Sequence, residues 1–109
     1  MSSSFRFSNR SQLVEAVDLW IDDEATAIGT YGDINTWDVS AITNFSHLFA
    51  YSRSFNSDIS NWDVSSGTDF SNMFRNATSF NQDISDWDVS SGTDFGNMFN
   101  TATRFNQDL

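Results

Sequence analysis

DISNWDVSSGTDFSNMFRNATSFNQ, residues 58–82, is followed without a break by DISDWDVSSGTDFGNMFNTATRFNQ, residues 83–107. The two stretches agree at 20 of 25 positions, and DINTWDVSAITNFSHLFAYSRSFNS at 33–57 agrees with the first of them at 13 of 25. Asp108 and Leu109 begin a fourth unit. A fixed period of this length takes precedence over local pattern. Three equal units with no linker predict a solenoid, each coil burying its apolar residues against the next.

Comparing the copies separates an inside from an outside. Units two and three differ at Asn61/Asp86, Ser71/Gly96, Arg75/Asn100, Asn76/Thr101 and Ser79/Arg104, none of them large and apolar. Ile34/Ile59/Ile84, Trp37/Trp62/Trp87, Val39/Val64/Val89, Phe45/Phe70/Phe95, Phe49/Phe74/Phe99 and Phe55/Phe80/Phe105 are the same in all three. Within a unit, Ile59, Trp62 and Val64 have the I-x-x-W-x-V spacing of a leucine-rich-repeat strand, with Trp62 and Val64 inward and Asp63 outward. Phe70, Met73, Phe74 and Ala77 lie at i, i+3, i+4 and i+7, one face of a short helix, with Thr68 or Asp69 as its cap. The expected fold is therefore an α/β solenoid of leucine-rich-repeat-like coils, one short parallel strand plus one short helix per 25-residue repeat, over residues 33–109.

Residues 1–32 read as an N-terminal helical cap. Asn9-x-x-Gln12 has capping-box spacing. Leu13, Ala16, Val17, Trp20 and Ile21 make an apolar face, and Asp22-Asp23-Glu24 mark the helix end. Ala25–Gly32 forms a second short turn or helix. Glu15 and Asp18 on the polar face argue against a membrane-surface helix.

Composition excludes several function classes. The chain has 109 residues, no Cys, no Pro, 11 Phe, 4 Trp and a formal net charge of −10. One modest core fits that length, and so much aromatic residue argues against a disordered acidic chain. The charge speaks against nucleic acid or an anionic membrane as partner. No apolar run reaches membrane-spanning length, and MSSSFRF lacks the apolar region of a signal peptide.

The repeats F-N-Q-D-I-S-x-W-D-V-S and T-x-F-x-x-M-F, with the lead-in A-V-D-L-W-I and Y-G-D-I, resemble the BspA-like leucine-rich-repeat family of surface proteins over residues 5–109. The resemblance implies a cell-surface or secreted protein with a role in adhesion or protein binding, and it carries over no catalytic residues. Two departures stand out. Gly67 and Gly92 replace the branched residue kept at Ile42, and Phe45, Phe70 and Phe95 stand where Met is usual.

Catalysis finds little to build on. The single His, His47, corresponds to Asn72 and Asn97 and reads as a solvated side chain. A nucleophile system lacks its base. Carboxylates abound, but each recurs in the same environment, whereas acid and base roles need environments that differ. No enzymatic activity is expected. Stacked coils instead align Asp38, Asp63 and Asp88 in an outward row about 4.8 Å apart, flanked by Asn61, Asp86, Ser65 and Ser90. This is the candidate binding face, for solvent and hydroxyl bonds, a basic partner or Ca²⁺. No calcium-binding loop motif is present, so Ca²⁺ is the one cofactor the rows admit and no residue is assigned as a metal ligand. Asp33, Asp58, Asp83 and Asp108 read as turn-building residues, and Asn56, Asn81 and Asn106 as an inner ladder. Asn9, Asn44 and Asn76 head glycosylation sequons that chance explains in this composition.

The last coil defines a second candidate surface. Trp87, Val89, Phe95, Phe99, Phe105 and Leu109 are expected to form an apolar docking end, for self-association or a protein partner. The leading function is a surface-exposed repeat module for protein–protein or adhesive contact. The alternative is a structural component of a larger particle, such as a virion decoration, tail or fibre protein.

Overall fold

The computed structural model describes residues 5–106. Helix α1 spans Arg10–Asp22 and helix α2 spans Glu24–Tyr31. Asn9 caps α1 by accepting the Gln12 amide at 3.0 Å, and Gln12 returns a bond to the Ser8 amide at 2.8 Å, one residue before the usual capping-box partner. Leu13, Ala16, Val17 and Trp20 are buried, while Ile21 is exposed. Asp23 closes α1 and opens α2, its carboxylate accepting the Thr26 amide and hydroxyl. Gly32 ends α2 at φ +81°, the left-handed region that glycine enters at little cost.

The repeats depart from the expected fold class. Among the described residues they contain no α-helix and no β-strand, only a 3₁₀ turn at Ile34–Thr36 and the isolated parallel pairings Asn44 with Asp69, Asp69 with Asp94, and Asp38 with Arg6 of the lead-in. The described chain is compact, 35 × 28 × 23 Å. An α/β solenoid of leucine-rich-repeat-like coils is thereby overturned.

The reason is local. The segment expected as a strand is two tight turns: the Trp37, Trp62 and Trp87 amides bond the Ile34, Ile59 and Ile84 carbonyls, and the amides of Ile42, Gly67 and Gly92 bond those of Val39, Val64 and Val89. The segment expected as a helix carries a left-handed residue at every fourth position. His47, Asn72 and Asn97 have φ of 60°, 57° and 56°, and Tyr51, Asn76 and Thr101 have 62°, 58° and 60°. Each such residue stops an α-helix from propagating. Asn enters this region more readily than most residues.

Backbone bonding then alternates. The amides of Met73, Arg75 and Ala77 turn back to the carbonyls of Phe70, Asn72 and Phe74, while those of Phe70, Asn72, Phe74 and Asn76 cross to Asp94, Gly96, Met98 and Asn100 of the next repeat. Phe45, His47, Phe49 and Tyr51 cross to Asp69, Ser71, Met73 and Arg75 in the same way. The helix-like apolar spacing thus belongs to a ribbon of turns.

Side chains fix the register. Phe45, Phe70 and Phe95 stack with centroids 5.4 and 5.3 Å apart. Phe49, Phe74 and Phe99 stack at 5.5 and 5.4 Å, and Phe55, Phe80 and Phe105 at 5.7 and 5.8 Å. Trp37 stacks on Trp62 at 6.4 Å. The Trp62 and Trp87 indoles donate to the Ile34 and Ile59 carbonyls of the preceding unit at 2.7 and 3.1 Å, so the tryptophans occupy equivalent places. At the other end of the stack, α1 sends the Arg10 guanidinium to the Asn44 and Ser46 carbonyls at 3.0 and 2.6 Å. Those carbonyls are the counterparts of the Asp69 and Ser71 carbonyls that receive amides from unit one. Arg10 therefore stands in for the amides of a preceding repeat.

Candidate functional site

The acidic face is built from turns. In D-V-S, the Asp carboxylate accepts both the amide and the hydroxyl of the Ser two residues on. Asp38–Ser40, Asp63–Ser65 and Asp88–Ser90 each show an amide bond of 3.0 Å and a hydroxyl bond of 2.6 Å. These bonds hold the Asp38 and Asp88 carboxyls below the ordinary aspartate range, the Ser hydroxyl contributing most and the amide next. Arg6 lies 3.6 Å from Asp38 and lowers it slightly further. Asp69 behaves alike with Ser71, whose hydroxyl and amide lower it most, and the Arg10 guanidinium lowers it further.

The remaining residues of this face fall beside the row. Asn61 is exposed, and its amide bonds the Asn35 side chain at 3.0 Å. Asp86 is exposed. Asp33, Asp58 and Asp83 accept the amide two residues on, at 3.0, 2.9 and 2.9 Å. The Asn56 and Asn81 side chains accept the Asn81 and Asn106 amides of the next unit at 2.8 and 3.0 Å. That ladder lies on the surface rather than inside. Among the described residues no group of three or more acidic or His side chains is arranged to hold a metal ion.

The end of the third repeat has a different character. Ile84, Ser85, Trp87, Val89, Phe95, Met98 and Phe99 line a cleft of about 340 Å³. Val89 is 36% exposed and Phe95 42%, whereas their counterparts Val64 and Phe70 are buried under unit three. Phe99 and Phe105 are half-buried. Leu109 and Asp108 lie outside the described residues. Met98 and Ile84, both lining the cleft, were not among the sequence candidates; their register with Met73 and Ile59 was the signal that marked them.

A family profile matches residues 4–109, the helical lead-in and all three repeats together. The chain belongs to the family described as Mycoplasma protein of unknown function, DUF285. No curated protein and no solved structure matches it. In this DUF285 chain, no helix among the described residues is long and apolar enough to cross a membrane.

Proposed function

We propose that this chain is a non-enzymatic repeat module, displayed at a cell surface as the BspA-like resemblance implies, that binds protein through the end of its third repeat. One observation carries the reading: the apolar cleft of about 340 Å³ between Trp87, Val89, Phe95 and Phe99. Apolar area gathered in one concave place is what protein contacts use. The acidic rows support the same reading, because Asp38, Asp63 and Asp88 each serve the same Ser-bonded turn, a structural task that accounts for them without acid–base catalysis.

The test is binding of the intact chain to a panel of purified surface and extracellular proteins, compared with Val89→Asp and Phe95→Asp. Val89 is 36% exposed and Phe95 42%, but Phe95 also stacks on Phe70, so the thermal midpoint of each variant is measured beside its binding and Val89→Asp is the variant expected to keep it. Saturable binding that both remove is expected. Binding that ignores both, or no binding at all, overturns the reading.

A further inference from the structure

We propose that the outer surface of the turn ribbon, centred on Tyr51, binds a neutral, extended β-1,4-linked glycan. This surface is anchored in the first and second repeats, lies apart from the third-repeat cleft, and does not depend on the protein-binding reading.

Tyr51 is the anomaly that points there. It is 55% exposed, and among the described residues its ring stacks on no other ring and its hydroxyl has no hydrogen-bond partner. Its φ of 62° lies in the left-handed region, where Asn76 and Thr101 hold the equivalent places with small polar side chains. Core packing does not account for a tyrosine here, because the ring is not buried. Backbone conformation does not account for it either, because asparagine suits that region better. An exposed aromatic ring held at a conformational cost is what a contact surface uses.

The surroundings of Tyr51 define the ligand. Its amide donates to the Arg75 carbonyl at 2.7 Å, which sets the second repeat directly beside it. Along the ribbon Phe70, Met73 and Phe74 are buried, whereas Asn72, Arg75 and Asn76 stay at the surface, with His47 and Asn97 exposed on the neighbouring coils. Residues 39–57 and 70–82 contain no carboxylate, and they carry Arg53 and Arg75. The strip is therefore neutral to weakly basic in a chain of net charge −10. Each asparagine amide offers two donors and an acceptor. The Arg75 Nε is buried with no hydrogen-bond partner, and Nη1 makes only a long contact of 3.4 Å to Asn72 Oδ1, so turning the guanidinium toward a ligand gives up little.

One aromatic face among planar amides and a guanidinium matches the chemistry of a sugar chain: the ring packs on the C–H face of a pyranose, and the amides meet its hydroxyls. The net charge disfavours a polyanion. A single ring offers too little apolar area for the core of a protein interface. The phenylalanine columns behind the strip step at 5.3–5.5 Å from coil to coil, and the outward side chains recur at about that step. An extended β-1,4-linked chain advances by a similar distance per sugar, so successive sugars meet successive coils.

The isotopically labelled 109-residue chain is titrated with cellopentaose, chitopentaose and β-1,4-mannopentaose, and with the coiled α-linked maltopentaose as control. Saturable shifts at the side-chain amides of Asn72, Asn76 and Asn97 are expected with at least one β-linked chain, and maltopentaose should bind several-fold more weakly. Tyr51→Asn should weaken binding about tenfold or more, as loss of an aromatic anchor does, while its melting midpoint stays at or above that of the parent. Tyr51→Phe should keep most of the binding, and Arg75→Gln should weaken it several-fold with the midpoint unchanged. No binding of any β-linked chain at millimolar concentration overturns the proposal, as does equal binding of maltopentaose. Parent-like binding by Tyr51→Asn overturns it, as do shifts confined to the third-repeat cleft. Failure on any of these grounds leaves the protein-binding reading standing.

Discussion

Gly67→Ala and Gly92→Ala place the same methyl at the same point of two nearly identical repeats, yet they should differ in cost. A Cβ on Gly67 would sit 2.5 Å from Cζ of Phe70 and 3.0 Å from two ring carbons of Phe45. Phe70 has no room to yield. It is fully buried and held between Phe45 and Phe95 at 5.4 and 5.3 Å, with ring planes within 5° and 1°. Overpacking of this kind costs about 1–3 kcal/mol. Restricting the unfolded chain returns about 0.4–1 kcal/mol, since no positive φ opposes alanine here. The net is a loss of roughly 0.5–2 kcal/mol, or several degrees in the melting midpoint. At Gly92 the Cβ would lie even closer to its ring, 2.2 Å from Phe95 Cζ. Phe95, however, is 42% exposed and can rotate outward, leaving only a few tenths of an ångström for the Val89 carbonyl at 3.0 Å to yield. Gly92→Ala should fall within about 0.5 kcal/mol of the parent chain. Urea unfolding monitored by tryptophan fluorescence measures both. A Gly67→Ala chain as stable as the parent, or a larger loss at Gly92, refutes the stacked packing of Phe70. Phe70→Leu should relieve the clash, so the double variant with Gly67→Ala should lose less than the two singles combined.

Further expectations follow from the turns and caps. Asp38, Asp69 and Asp88 are held below their ordinary value of 3.8 by Ser40, Ser71 and Ser90. Their stabilisation is fully present above that value and is lost as pH falls through the lowered one. Thermal melts should therefore show an acid limb below about pH 4 that Ser71→Ala flattens; an unchanged limb removes the serine bond as its cause. Arg10→Met should cost about 1.5–3 kcal/mol in denaturant unfolding by baring the Asn44 and Ser46 carbonyls, and a neutral result would show that water replaces the guanidinium. Tyr51→Asn and Thr101→Asn put the residue of Asn76 at its two left-handed counterparts. Each should raise stability by roughly 0.5–1 kcal/mol, the strain of a non-Gly residue in that region being about 1–2 kcal/mol; a lower melting midpoint for both would rule that out.

The repeat period was legible because it is written in residue identity, and so was the division of inside from outside. Trp62 and Val64 are buried and Asp63 exposed as alternation suggests, although turns and not a strand place them there. The helix reading failed for a specific reason. Phe70, Met73, Phe74 and Ala77 fit a helical face, but they fit equally a ribbon of turns whose fourth residues are left-handed. Asn72, Asn76 and Asn97 were the available signal, since Asn is a poor helix former that tolerates positive φ. Their weight was overridden by apolar spacing. In α1 no such residue interrupts the pattern, and the Leu13, Ala16, Val17, Trp20 face is a helix. Arg10 as a plug for backbone carbonyls was not legible, because nothing in its spacing ties it to Asn44 and Ser46, more than thirty residues on.

The Asp rows follow from the same turn-building, and this bears on what the acidic charge means. Each Asp of the D-V-S row accepts both the amide and the hydroxyl of its own Ser, so its charge is engaged within its own turn. Asp therefore recurs because each repeat needs the same turn, and a row of charge is the by-product of stacking those turns. A surface that accumulates charge in this way needs no basic ligand or cation to account for it.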